Sequence, residues 1–136
     1  MNVDTNMFNS IDIATSGLRA YNKQMEVIGS NLANIQTTDT GNGQPYRRLI
    51  AEFKLKDEEE LGGVELSDIV EDRSDFRRIL QPGHPQADEE GYVKMPNVNW
   101  PTEMINLNMA SRAYQANASI LRRYQRMVES SLELLK

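Results

Sequence analysis

Apolar residues between about positions 6 and 36 recur at alternating spacings of three and four residues. They are Ile11, Ala14, Leu18, Tyr21, Met25, Ile28, Leu32 and Ile35. A repeat of this period, kept for more than three heptads, predicts an amphipathic helix with the seam of a coiled coil. Gly17 and Gly29 interrupt the repeat, and each costs about 1 kcal/mol inside a helix. Their positions indicate either close approach by a second helix or a helix that forms only with a partner.

A second stripe of the same period lies near the end of the sequence, in a segment without glycine or proline that begins at about position 102. Its members are Leu107, Ala110, Tyr114, Asn117, Leu121, Tyr124, Val128, Ser131 and Leu135. Four more apolar residues widen it and favour contact with more than one neighbour, namely Ala113, Ile120, Met127 and Leu134. Pro101 followed by Thr102 and Glu103 predicts the helix start, with Thr102 as its cap and Glu103 near the positive end of the dipole. We expect the two helices, each about 45–50 Å long, to pair antiparallel.

The middle of the sequence changes to the period of β-strands. Apolar residues alternate at 49–55 and 64–66 and more weakly at 76–80, which predicts short strands. Residues 92–95 are interpreted as a further short strand ended by Pro96, and glycine and proline residues mark the turns. The predicted fold is mainly α, with two long terminal helices in an antiparallel coiled coil and a small β-rich insert. The predicted segments are 1–36 for the first helix, 37–100 for the insert and 101–136 for the second helix.

Composition excludes several classes of function. The 136 residues carry a formal net charge of −5, which argues against broad nucleic-acid binding. The sequence has no cysteine, so disulfides, thiolate catalysis and cysteine-ligated zinc are excluded. No apolar run approaches the roughly 20 residues of a membrane span. The first residues lack a basic segment followed by an apolar one, so any export requires a route other than a cleaved secretory signal.

Few residues in this sequence offer catalytic chemistry. His84 lies between two prolines and is interpreted as an exposed loop residue rather than a general base. The acidic run Asp57–Glu60 is typical of a solvated surface, and Gly41–Gly43 of a turn. We therefore expect no enzyme activity, cofactor, metal ion or small-molecule substrate. A small enzyme or metal site that uses His84 with the acids at 88–90 is the opposing hypothesis.

The arginine pairs at 47–48, 77–78 and 122–123 favour complementary charge contacts between subunits over a nucleic-acid or lipid site.

The two apolar stripes permit either a closed two-helix core or lateral assembly, and their placement at both ends of the chain favours assembly. The residues expected at an assembly interface are Ile11, Ala14, Leu18, Tyr21, Met25, Ile28, Leu32, Leu107, Ala110, Tyr114, Asn117, Leu121, Tyr124 and Val128.

Motifs at both ends of the chain resemble those of bacterial flagellar rod and hook proteins. The first runs from Ser16 and Gly17 to an Asn-x-x-Asn-x-x-Thr element at Asn31, Asn34 and Thr37. Amide side chains near a helix end can satisfy unpaired backbone groups and fix the exit of the chain. The second motif covers residues 109–117. The short insert and the segments 82–88 and 91–99 resemble the proximal rod branch of this family, whereas the acidic run and Trp100 match none of its motifs.

The resemblance implies a non-enzymatic structural subunit of the proximal rod in the flagellar basal body. Such a subunit assembles helically into the drive shaft that transmits torque and encloses the export channel. The implied partners are copies of the chain, neighbouring rod proteins and the flagellar type III export apparatus, with no nucleic acid and no membrane insertion. The implied location is the rod within the cell envelope, reached without a cleaved signal peptide. Another axial subunit of the flagellum is the alternative.

Overall fold

The computed structural model describes residues 3–56 and 62–134, with side chains from residue 9 onward. The chain forms helix α1 (Val3–Ala33), strands β1 (Leu49–Leu55), β2 (Val64–Glu71), β3 (Arg77–Leu80) and β4 (Tyr92–Met95), and helix α2 (Trp100–Glu133). The two helices make up about half of the chain. The predicted order of a helix, a β-rich insert and a second helix is confirmed. The acidic run Asp57–Glu60 and Leu135 lie outside the described residues.

The two helices pack against each other in opposite directions. Gly17 meets Asn117 near the middle of the pair, while Asn31 further along α1 contacts Glu103 near the start of α2. A Cβ at Gly17 would lie 2.9 Å from Nδ2 of Asn117, so glycine permits the close approach there. Nothing lies within 4 Å of a Cβ built at Gly29. Of the two glycines, Gly17 is therefore the one that a neighbouring helix requires within the subunit.

Helix α2 begins at Trp100, and its cap is Asn99, three residues before the predicted cap Thr102. The Oδ1 atom of Asn99 accepts hydrogen bonds from the backbone N–H of Thr102 at 3.1 Å and from its hydroxyl at 3.0 Å. The N–H of the third helical residue is one of the donors that the helix itself leaves unpaired, and asparagine is among the best residues to satisfy it. Thr102 is therefore the capped residue and not the cap.

The insert consists of two antiparallel hairpins. Strands β1 and β2 pair from Leu49 opposite Glu71 to Leu55 opposite Val64, with a register shift after Glu52, while β3 pairs with β4. The first hairpin contacts α1, where the hydroxyl of Ser16 accepts a hydrogen bond from the N–H of Val64 at 3.1 Å. A Cβ at Gly63, which has a φ of +110°, would lie 2.5 Å from this hydroxyl oxygen. Ser16 and Gly63 thus fix the first hairpin on the helix.

The buried apolar core is small and lies mainly along the helix pair and at the end of the second hairpin. It contains Ala14, Ala20, Val27, Ile28, Val93, Val98 and Ala110. In the part of the chain that the structure describes, neither helix has a stretch long and apolar enough to cross a membrane.

Candidate functional site

Much of the predicted assembly interface is already covered within one chain. Three of its residues are buried, namely Ala14, Ile28 and Ala110. Nine are half-buried, namely Ile11, Leu18, Tyr21, Met25, Leu32, Leu107, Asn117, Leu121 and Tyr124. Tyr114 and Val128 are the most open, at 37% exposed each. Because α1 and α2 contact each other along this face, the two stripes contribute to the helix pair of the single subunit.

A second face of α2 carries exposed apolar residues. Ile105 and Met109 are 62% and 65% exposed, and Ile120 and Met127 are 47% and 46% exposed. Of the residues predicted to widen the second stripe, Ala113 is half-buried and the others are exposed. Single exposed apolar residues are ordinary on a protein surface, but a row of them along one helix face marks an interaction surface.

A buried polar cluster joins the insert to both helices. The carboxylate of Glu103 is fully buried and accepts a hydrogen bond from Nε of Arg48 at 2.6 Å. A second nitrogen of Arg48 lies 3.4 Å from the carboxylate of Asp72. The backbone N–H and the hydroxyl of Ser74, and then Arg48, lower the pKa of Asp72. Arg48 is therefore held between two carboxylates, one of them without access to water.

Asn31 completes this cluster with all of its side-chain hydrogen-bonding groups occupied. Its Nδ2 donates to the carbonyl of Leu49 at 2.9 Å and to the carboxylate of Glu103 at 3.3 Å. Its Oδ1 accepts from the N–H of Leu49 at 2.8 Å and from the hydroxyl of Tyr46 at 3.0 Å. An asparagine side chain has two donor hydrogens and two acceptor lone pairs, so none of them is left unpaired. Asn31 ties the start of β1 to both helices.

Asn34 and Thr37 shape the chain where it leaves α1. The Nδ2 of Asn34 donates to the carbonyl of Ser30 at 2.9 Å, and its Oδ1 accepts from the hydroxyl of Thr37 at 3.2 Å. The carbonyl of Thr37 then accepts from the N–H of Tyr46 at 2.9 Å. The same Ser30 carbonyl also accepts from the backbone N–H of Asn34 at 3.1 Å, so Asn34 holds the last turn of the helix with both its backbone and its side chain. These contacts close the loop that leads into β1.

His84 and Asp88, which the opposing hypothesis placed in a catalytic or metal site, make hydrogen bonds within their own loop. His84 is half-buried rather than exposed, and its Nδ1 accepts a hydrogen bond from the N–H of Gln86 at 3.1 Å. The carboxylate of Asp88 accepts from the N–H groups of Tyr92 and Glu90 and pairs with Arg78, and these contacts lower the pKa of Asp88. Across the described residues, no group of three or more His, Cys, Asp or Glu side chains is placed to hold a metal ion.

The glycine-rich turn is organised by an aspartate. Oδ1 of Asp39 accepts from the N–H groups of Gly41 and Gly43 at 2.8 and 2.9 Å, which lowers the pKa of Asp39. Both glycines have a positive φ. The predicted turn at Gly41–Gly43 is confirmed.

The arginine pairs of the insert make contacts within the chain, whereas the sequence favoured contacts between subunits. Arg47 donates to the carbonyls of Asp72 and Ser74 and stacks on the Phe76 ring, with 4.2 Å between guanidinium carbon and ring centre. Arg77 and Arg78 likewise contact residues of the insert and of the loop before α2. The difference arises because several loops meet around these side chains. The pair at 122–123 lies instead on exposed surface of α2.

Comparison with known proteins gives matches at both ends of the chain. Residues 11–39 match the family model "Flagella basal body rod protein", and residues 89–134 match "Flagellar basal body rod FlgEFG protein C-terminal". The flagellar basal-body rod proteins FlgC of Yersinia enterocolitica and Salmonella typhimurium are 38% identical over 130 residues, covering 94% of this chain and 97% of each relative. FlgC of Borreliella burgdorferi is 34% identical over 149 residues, covering 96% of this chain and 98% of the relative.

The chain belongs to the FlgC family of flagellar basal-body rod proteins. The predicted resemblance and the role as a structural rod subunit are confirmed. The relatives are structural rod proteins and not known enzymes, which supports the prediction that this FlgC-family chain has no enzyme activity.

The two matched segments contain some of the residues that make the contacts described above. Ser16, Gly17 and Asn31 lie in the first segment, and Glu103 and Asn117 lie in the second. Arg48, the partner of Glu103, lies in neither. Sequence reasoning identified Asn31 through its motif but missed the pairing of Arg48 with Glu103. The sequence signal for this pairing was the isolation of Glu103: it is an acidic residue at the start of a long helix, and no further acidic residue follows until Glu129.

Proposed function

We propose that this chain assembles with copies of itself and with neighbouring rod proteins into the proximal rod of the flagellum. The helix pair packs laterally with other helix pairs as a coiled coil, and the β-rich insert lies on the outer side of the helical layer, next to the helices of neighbouring copies. The rod so formed transmits torque and encloses the export channel. The chain reaches the rod within the cell envelope through the flagellar type III export apparatus, without a cleaved signal peptide.

The observation that carries this proposal is the open apolar face of α2 in a chain of this family. Ile105 and Met109 project from the side of α2 that the helix pair leaves uncovered. Burying one such side chain contributes about 1.5–3 kcal/mol. A row of them on a helix more than 30 residues long supplies a lateral interface strong enough for a shaft.

Deletion of the gene in its host, followed by electron microscopy of basal bodies, tests the function. We expect the deletion to remove hooks and filaments while the membrane ring remains. The double variant Ile105→Asp/Met109→Asp should fail to restore them, because two charges would enter the lateral interface. The matched control is Gln115→Asp, which is also exposed but lies on the polar side of α2, and it should restore flagella. Flagella on the deletion strain would contradict the proposal.

A further inference from the structure

The open face of α2 carries arginines within its apolar row. We call this row the back stripe and define it by residues at successive spacings of three or four, all of them exposed. They are Ile105, Met109, Arg112, Ala116, Ile120, Arg123 and Met127. This spacing places them on one side of the helix. The buried residues Glu103 and Ala110 lie on the other side, which faces α1.

The arginines decide which kind of surface can cover the back stripe. A guanidinium group that is taken out of water without an anionic partner carries a large desolvation cost. Pairing of two back stripes from two copies would bring arginine against arginine. No acidic residue lies between Glu103 and Glu129 to relieve that repulsion, and Arg122 and Arg126 add to it. The covering surface must therefore be acidic as well as partly apolar.

The insert is the acidic part of this chain. Residues 37–99 contain fourteen of the chain's acidic residues and only eight basic ones, whereas the segment from residue 100 onward has more basic than acidic residues. Surfaces of opposite charge attract each other at an interface and fix its register. Charge therefore favours contact between the insert of one copy and α2 of another.

One pair of carboxylates on the first hairpin lacks a counterion. Glu52 lies directly opposite Asp68 in the β1–β2 register, and both residues are exposed. Like charges in directly opposed positions destabilise a hairpin. In the same hairpin, Glu65 opposes Lys54 and pairs with it at 2.9 Å, whereas within the described residues neither Glu52 nor Asp68 has a basic group within 4.0 Å. Among residues 3–56 and 62–134, no ion pair offsets this repulsion.

An apolar pair adjoins the two carboxylates. Ile50 lies opposite Val70, two residues from Glu52 and Asp68 along each strand, so all four share one face of the hairpin. Ile50 and Val70 are half-buried. This hairpin face thus presents a negative pair beside an apolar pair. The back stripe presents the matching arrangement, with Arg123 between Ile120 and Met127.

We propose that the hairpin face formed by Ile50, Glu52, Asp68 and Val70 of one copy binds the Arg123 region of the back stripe of a second copy. The two carboxylates hold the guanidinium of Arg123, and the apolar pair packs beside it. The contact is made between copies, because β1 and β2 stay more than 8 Å from α2, Cα to Cα, within one chain. This inference rests on the proposed function and specifies one contact of the assembly.

Charge exchange tests this contact in the complemented deletion strain. Arg123→Glu alone, or Glu52→Arg with Asp68→Arg, should lower the number of hook-bearing basal bodies about tenfold or more, because like charges then meet at the interface. Combining all three changes should restore the number to about half of wild type or better. The exposed sites keep the purified chain folded, which circular dichroism checks. A combined variant no better than the weaker of its two parents would overturn the proposal.

Two matched controls accompany the exchange. Arg122→Glu makes the same change one residue away, on a different side of α2, and should leave assembly intact. Glu89→Arg reverses an exposed acid outside the first hairpin and should not rescue Arg123→Glu. Should the charge reversals have no effect while Ile105→Asp/Met109→Asp still blocks the rod, this contact is wrong and the proposed function stands. Flagella on the deletion strain would instead contradict the proposed function itself.

Disulfide cross-linking identifies the partner directly, because the chain has no cysteine of its own. Val70→Cys on one copy, co-expressed with Ile120→Cys or Met127→Cys on another, should yield a disulfide-linked dimer of this chain in isolated basal bodies. A disulfide requires Cα atoms within about 7 Å, so a link between these positions forms only between copies. Cross-linking to a different rod protein, or none for either pair, would overturn the proposal.

Discussion

Glu103 is an acidic residue without any exposure to solvent, and its partners explain how the fold accommodates it. An isolated carboxylate in such a position would be strongly unfavourable. Arg48 supplies the opposite charge, and Asn31 donates to the second carboxylate oxygen. Arg48 directly precedes β1, Asn31 lies in α1 and Glu103 lies in α2. The Glu103 carboxylate therefore fixes the positions of these three elements relative to one another. Pairs of this kind specify geometry more than they add stability.

Replacing Arg48 by alanine should destabilise the purified chain by about 3 kcal/mol, because the buried Glu103 carboxylate loses its counterion. Urea unfolding followed by circular dichroism measures this. Arg78→Ala is the matched control: its ion pairs with Asp88 and Glu90 are exposed to solvent, and exposed pairs contribute little. Equal unfolding midpoints for the two variants would show that the Arg48–Glu103 pair does not hold the elements together.

Helices and strands were predictable because their signals are local. The spacings of three and four marked α1 and α2, alternation marked β1 and β2 and more weakly β3, and Pro96 marked the end of β4. The Asn99 cap was missed because asparagine and threonine are both good caps, and the choice between them depends on where the helix begins. The Arg48–Glu103 contact spans 55 residues and the Ser16–Val64 contact spans 48, so neither leaves a periodic trace in the sequence.

The two glycines in α1 differ in a way that the sequence alone does not reveal. Both interrupt the apolar repeat in the same way, but only Gly17 faces α2 closely. Propensity alone assigns the two positions the same cost. The partner helix distinguishes them, and it becomes visible only when α1 and α2 are placed together.

Leucine at these two positions should therefore have opposite effects. Gly17→Leu must displace the Asn117 side chain or separate the helices there, and should destabilise the chain by about 1–3 kcal/mol. Gly29→Leu meets no neighbour within the chain and should stabilise it by about 0.5–1 kcal/mol, because leucine is a better helix former. Thermal unfolding of the two purified variants beside wild type decides the matter. Stabilisation by both would mean that the helices do not approach closely at Gly17.

At the scale of the whole molecule, the second half of α2 has the least support. Every residue from 125 to 134 is exposed, whereas the first half of α2 contains the buried Glu103 and Ala110. Segments with few buried contacts open at low free energy. The chain thus has a well-packed end, where the insert and the polar cluster join both helices, and an open end at residues 125–134.

Limited proteolysis with trypsin distinguishes these two ends. In the purified chain, cleavage after Arg122, Arg123 and Arg126 should precede cleavage after Arg47 and Arg48, because a protease cuts a helix only when that helix opens locally. In isolated basal bodies the same three sites should be protected, since neighbouring subunits then cover the second half of α2. Mass spectrometry of the fragments identifies the order. Cleavage of α2 at the same rate before and after assembly would mean that this half of the helix stays exposed in the rod, and that the lateral interface lies elsewhere on the molecule.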